Sequence, residues 1–122
     1  MNQKNNDKII AESEYHPDVV SFYMYELEKL FNNKYRIKYI KPVNIPNWLA
    51  IRCLIKNWSY EAIKFETKKA FLFIGENYKG EDKWIPKSQM EIGQGIKKGD
   101  KYYNTHRNYI IEHEKKLNID II

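Results

Sequence analysis

The chain has 122 residues, 43% of them apolar and 30% charged, with a net charge of +5. That suits one domain with a modest core and excludes a chain disordered throughout. No run approaches the roughly 20 apolar residues of a membrane span, and no apolar stretch follows the first residues as in a secretory signal.

Residues 1–15 are polar, Asn-rich and without period, and read as a flexible tail ahead of a single domain over 16–122. Pro17 and Asp18 suit the first turn of a helix. Val20, Met24, Leu27 and Phe31 recur at helical spacing, so a helix over 18–32 is expected, stopped by Asn32 and Asn33. Tyr35, Ile37 and Tyr39 alternate with Arg36 and Lys38, which predicts a strand with one apolar and one basic face, ended by Pro42. Trp48, Ile51, Ile55 and Trp58 recur at steps of three and four, so a helix over 47–57 is expected, with a strand over 49–55 as its competitor.

Residues 60–66 alternate, with Ile63 and Phe65 on one face, and residues 69–74 are apolar on both faces as in a central strand. Thr67 and Lys68 would join them as a hairpin. Residues 75–80 read as a loop. Lys83, Trp84 and Ile85 make a short third strand that Pro86 limits to a sheet edge, and Met90 and Ile92 continue it past a bend. Residues 93–100 read as an exposed loop. Thr105 would cap a helix over 105–117, in which Ile110, Glu114 and Leu117 share a side. The expected fold is α+β: a small antiparallel sheet of three or four strands, able to curl into a partial barrel, with helices packed on it.

The charge is uneven. Residues 1–33 hold three Lys against six acids, while residues 34–122 balance to +8. A basic body attracts polyanions. Yet only Arg36, Arg52 and Arg107 are arginines, and Lys, Ile, Asn and Tyr are the residues of AT-rich codons. Coding bias therefore supplies part of the charge.

Few motifs carry catalytic chemistry. Gly93, Gly95 and Gly99 with Lys97 and Lys98 look like a phosphate loop, but neither the Walker spacing nor the dinucleotide fingerprint is met. What remains is a basic loop in which Lys97, Lys98, Lys101, Tyr102 and Tyr103 combine charge with stacking surface. His16, His106 and His113 lack metal-pair spacing. Cys53 is the only cysteine, which excludes an internal disulfide and fits a cytosolic setting. It stands among apolar neighbours as a small buried residue. Ser88 lacks a nucleophile frame, and the carboxylates are dispersed. No cofactor, metal site or enzyme activity is expected. The Trp and Phe residues read mostly as core.

Lys69-Ala70-Phe71-Leu72-Phe73, a loop, then Lys83-Trp84-Ile85-Pro86-Lys87-Ser88-Gln89 resembles a strand–loop–strand pattern of small, largely uncharacterised proteins of phages and mobile elements. Ile45-Pro46-Asn47-Trp48-Leu49-Ala50 resembles a helix start that accompanies it. In this pattern Trp84 would fill the core, and Lys87, Ser88 and Gln89 would project a contact point. The resemblance implies an accessory protein that binds nucleic acid, or that binds and blocks a host defence complex as anti-CRISPR proteins do.

The expected function is thus non-enzymatic binding inside a bacterial host, with no membrane partner. A basic face of Arg36, Lys38, Lys64, Lys87, Lys97, Lys98 and Lys101 would inhibit a nucleic-acid-bearing defence nuclease. The alternatives are a stand-alone single-stranded DNA or RNA binder and a sponge for an anionic nucleotide signal. The sponge would need a pocket of converging Lys, Arg and aromatic side chains.

Overall fold

A computed structural model describes residues 18–75, 81–116 and 118–122. The expected tail over 1–15, His16 and most of the loop over 75–80 lie outside these residues. In chain order the elements are β1 (Val19–Lys29), β2 (Lys34–Pro46), α1 (Asn47–Cys53), β3 (Tyr60–Glu66), β4 (Ala70–Phe73), β5 (Lys83–Pro86), β6 (Glu91–Ile92), α2 (Tyr103–Lys115) and β7 (Asp120–Ile121). The strands form one seven-stranded mixed sheet in the order β5-β4-β3-β1-β2-β6, with β7 also on β2. The pairs are antiparallel except β1 with β3 and β2 with β7. The small antiparallel sheet with packed helices is therefore corrected to a predominantly sheet structure with two short helices.

The largest correction is at 18–32, where β1 stands in place of the expected helix. β1 is central and buried on both faces. Val20, Phe22 and Met24 join one core, while Tyr23, Tyr25 and Leu27 border the other. A strand apolar on both sides shows no polar alternation. The helical spacing of Val20, Met24 and Leu27 is a by-product of that run. Phe31, the last member of the supposed stripe, is 90% exposed.

β2 also runs further than expected, through Pro42 to Pro46. The Pro42 carbonyl accepts the Gly93 N–H at 2.8 Å, so it points away from β1. In a strand, a residue's N–H points the same way as its carbonyl, so proline removes no bond to β1. The β3–β4 hairpin forms as expected, with the Ala70 N–H donating to Thr67 Oγ1 at 3.0 Å. A register shift between Ile63 and Phe65 leaves Phe65 exposed. Trp84 is corrected too: it is half-exposed, edge-on to Phe65 at 6.4 Å, and Ile85 fills the core instead. Glu91 and Ile92 do not extend β5 but cross to pair with β2.

Each face of the sheet carries its own core. On one, α1 sets Leu49, Ala50 and Cys53 against Val20, Phe22, Met24, Val43 and Ile45, with Phe71, Phe73 and Ile85 from the far strands. Phe22 and Phe73 meet edge to face at 5.8 Å across the intervening β3. On the other, α2 sets Ile110 against Tyr25, Ile40 and Ala62.

Candidate functional site

The site is built around the start of α2. The loop before it is pinned by Asp100, whose Oδ2 accepts the Lys97 N–H at 2.7 Å and whose carbonyl accepts the Tyr103 N–H at 3.0 Å. Gly99 turns there at φ +100°, a conformation that favours glycine. The helix begins at Tyr103, two residues before the expected cap Thr105, and no side chain caps it. Ile110 and Glu114 are its buried residues. That orientation leaves two flanks of α2 open along the sheet.

On one flank, Arg107, Asn104 and Tyr103 face Lys98 of the preceding loop and Arg36 and Ile37 of β2, with Ile122 closing a cleft of about 450 Å³. No Asp or Glu side chain lines it among the described residues. Every polar side chain of its wall can donate a hydrogen bond. Two guanidinium groups and the Lys98 ammonium make the wall cationic. Lys97, Lys101 and Tyr102 lie exposed beside it in sequence, with the Lys101 ammonium 5.2 Å from the Tyr102 ring.

The other flank differs in chemistry. Ser59, Tyr60 and Glu61 face Tyr109, Glu112, His113 and Lys116 around a second cleft of about 450 Å³. The Ser59 hydroxyl donates to Glu61 Oε2 at 2.6 Å. Beneath it, Tyr23 stacks on Tyr60 at 5.3 Å and Tyr60 on Tyr109 at 5.7 Å. Burial pushes the Tyr60 hydroxyl up to about 12 and holds His106 below its ordinary value. Burial thus favours the neutral form of His106, whose Nδ1 shares a hydrogen bond with the Tyr60 hydroxyl at 2.7 Å. No group of three His, Cys, Asp or Glu able to hold a metal occurs among the described residues.

The expected basic residues divide into two sets. Those on the sheet carry acidic partners. Arg36 pairs with Glu28 at 3.0 Å, Lys38 with Glu26 at 3.6 Å and Lys64 with Asp82 at 2.7 Å, and Lys87 pairs with Glu66. The Glu28 and Asp82 carboxyls are held below the usual carboxylate range by their hydrogen bonds to Arg36 and Lys64. Ser88 and Gln89 lie elsewhere, in a groove beside α1. Only Arg36, Lys98 and Tyr103 of the expected set meet in the cationic cleft, and Lys97, Lys98 and Lys101 have no ion pair among the described residues. Arg107 and Asn104 were not singled out from the sequence. Arg107 stands four residues after Tyr103, which places both on one side of a helix that starts at 103. Cys53 is buried as expected, and burial pushes its thiol up, away from a reactive thiolate.

No family model matches this chain, no curated protein matches it, and no solved structure matches its fold. Among the described residues, no helix is long and apolar enough to cross a membrane.

Proposed function

We propose that this protein binds phosphate-bearing ligands without transforming them, and that a nucleic-acid backbone is the ligand of the cleft beside α2. The observation that carries the reading is the wall itself: Arg36, Lys98 and Arg107 converge with Tyr103 and Asn104, and no acidic side chain is part of the lining. Arginine offers a planar fork that matches two phosphate oxygens. Exposed Tyr102, with Lys97 and Lys101 beside the cleft, offers a stacking platform and further charge along a single strand. Arg36 shares its charge with Glu28 at 3.0 Å, so Lys98 and Arg107 supply most of the field, and the other ion-paired cations of the sheet add little. Inhibition of a nucleic-acid-bearing host defence complex, as the phage-protein resemblance implies, would use this same cleft from within the bacterial cell.

A second reading is a sponge for an anionic nucleotide. The compact, three-cation cleft favours it, since about 450 Å³ lies in the size range of small-ligand sites. Fluorescence anisotropy with a labelled single-stranded oligonucleotide, competed by mononucleotides, separates the two. Backbone binding predicts affinity that falls with salt at a log–log slope of about −2 to −3, from three or four phosphate contacts. Arg107→Ala should flatten that slope by about 0.7, one contact's share on a single strand. Competition by a mononucleotide at equal concentration would favour the sponge. No binding of either ligand at low salt contradicts both.

A further inference from the structure

The short helix α1 does more than cover a core. Leu49, Ala50 and Cys53 point inward, while Trp48, Ile51 and Leu54 face solvent at 56%, 67% and 57% exposure. A surface helix ordinarily keeps its outer side polar. One side of this ridge, Trp48 and Ile51, is also a wall of a groove of about 850 Å³, shared with Val19, Pro46 and Met90. Charge is sorted across the same patch. Asp18 and Glu91 line the groove, while exposed Arg52 and Lys56 flank the ridge and have no ion pair among the described residues. The Arg52 guanidinium lies 5.8 Å from the Trp48 ring, and Trp and Arg are the side chains that anchor interfaces.

We infer that α1 and this groove form a two-fold interface between two copies of the chain. The occupant is a second copy because one surface holds both halves of the match: ridge with groove, cation with anion. A two-fold axis then seats the Trp48 and Ile51 ridge of each copy against the groove of the other. It also brings Arg52 and Lys56 of one copy to exposed Glu91 of the other, where opposite charges fix the register. This surface shares no residue with the cleft beside α2, so the dimer leaves that cleft open.

The test is the mass of the full chain in solution, by light scattering and sedimentation, from low micromolar to near-millimolar concentration. The mass should rise from the 14.8 kDa of one chain toward twice that value. Ile51→Glu, at an exposed position, should hold the chain at one-copy mass with an unchanged melting temperature. Arg52→Glu should weaken the dimer about tenfold or more, and adding Glu91→Lys should restore it. A wild-type chain that stays at one-copy mass at every concentration overturns the inference. So does a dimer that Ile51→Glu leaves intact. Failure of Glu91→Lys to restore the Arg52→Glu variant refutes the charge pairing that sets the register.

Discussion

The two faces of the sheet are built from different chemistry. The face under α1 is dry: Phe22, Met24, Phe71, Phe73 and Ile85 fill it with hydrocarbon and aromatic rings. The face under α2 is a mixed layer in which Ile110 and Ile40 share space with Tyr23, Tyr25, Tyr60, His106 and buried Glu114. Strand β1 feeds both, its alternate residues going to opposite sides. The division separates tasks. Apolar burial on one face supplies stability that does not depend on pH or salt. The polar face carries a helix whose two flanks offer chemically distinct clefts.

The dry face should respond most strongly to truncation. Phe22→Ala removes a fully buried ring and should cost about 3–5 kcal/mol in urea denaturation. A loss below about 1 kcal/mol would mean that this face is not the stabilising one.

The polar face should respond by hydrogen bonds instead. Tyr60→Phe removes the hydrogen bond to His106 Nδ1 while keeping the ring stack, and should cost about 1 kcal/mol. A loss as large as that of Phe22→Ala would erase the distinction between the faces.

Acid should find the polar face first. Burial lowers the His106 pKa, so the unfolded chain takes up a proton more readily than the folded one. Stability from this group is complete above the ordinary histidine value near 6.5 and is lost as pH falls below it toward the lowered folded value. Denaturation at pH 7.5 and pH 5.5 should therefore show a weaker fold at the lower pH, and His106→Asn should flatten the difference. An unchanged difference in that variant would place its origin elsewhere.

The smallest effect belongs to the ion pairs of the sheet surface. Lys64→Ala breaks the pair to Asp82 yet should change stability by less than about 1 kcal/mol, because both side chains remain in contact with water. Added salt should shrink even that. A larger, salt-insensitive loss would show that this edge is stiffer than its exposure implies.

What the sequence reveals follows the same division. The hairpin β3–β4, edge strand β5 and α2 were legible, because each has a one-sided pattern or a turn signal. By contrast, α1 starts at Asn47 as expected but ends at Cys53, and it buries Leu49, Ala50 and Cys53 instead of the expected side of Trp48 and Ile51. Thr67 marks the hairpin, Pro86 the end of β5, and Ile110 with Glu114 the inner side of α2. β1 was not, because burial on two sides removes the polar alternation by which a strand is recognised. The reach of β2 was hidden as well. Whether Pro42 ends a strand depends on which neighbour its missing N–H would have faced, and that is a property of the sheet. Trp84 was placed in the core with the strand–loop–strand pattern, although strand alternation gives that place to either Trp84 or Ile85. For the site, Lys98 and Tyr103 were visible as a basic, aromatic loop. Arg36, Lys38, Lys64 and Lys87 all have acidic partners, and only the fold shows that of these four Arg36 also borders the cleft. Arg107 was missed because the helix was expected to start at 105, which separates it from Tyr103.

The most direct test of the account is a titration of the isotope-labelled chain with a short single-stranded oligonucleotide, followed by amide chemical shifts. The account predicts shifts concentrated at residues 97–107 and at Arg36 and Ile37, abolished by the Lys98→Ala, Arg107→Ala double variant without loss of fold. Shifts centred on Lys64, Lys87 and the β3–β5 edge, or a spectrum that oligonucleotide leaves unchanged at low salt, would contradict it.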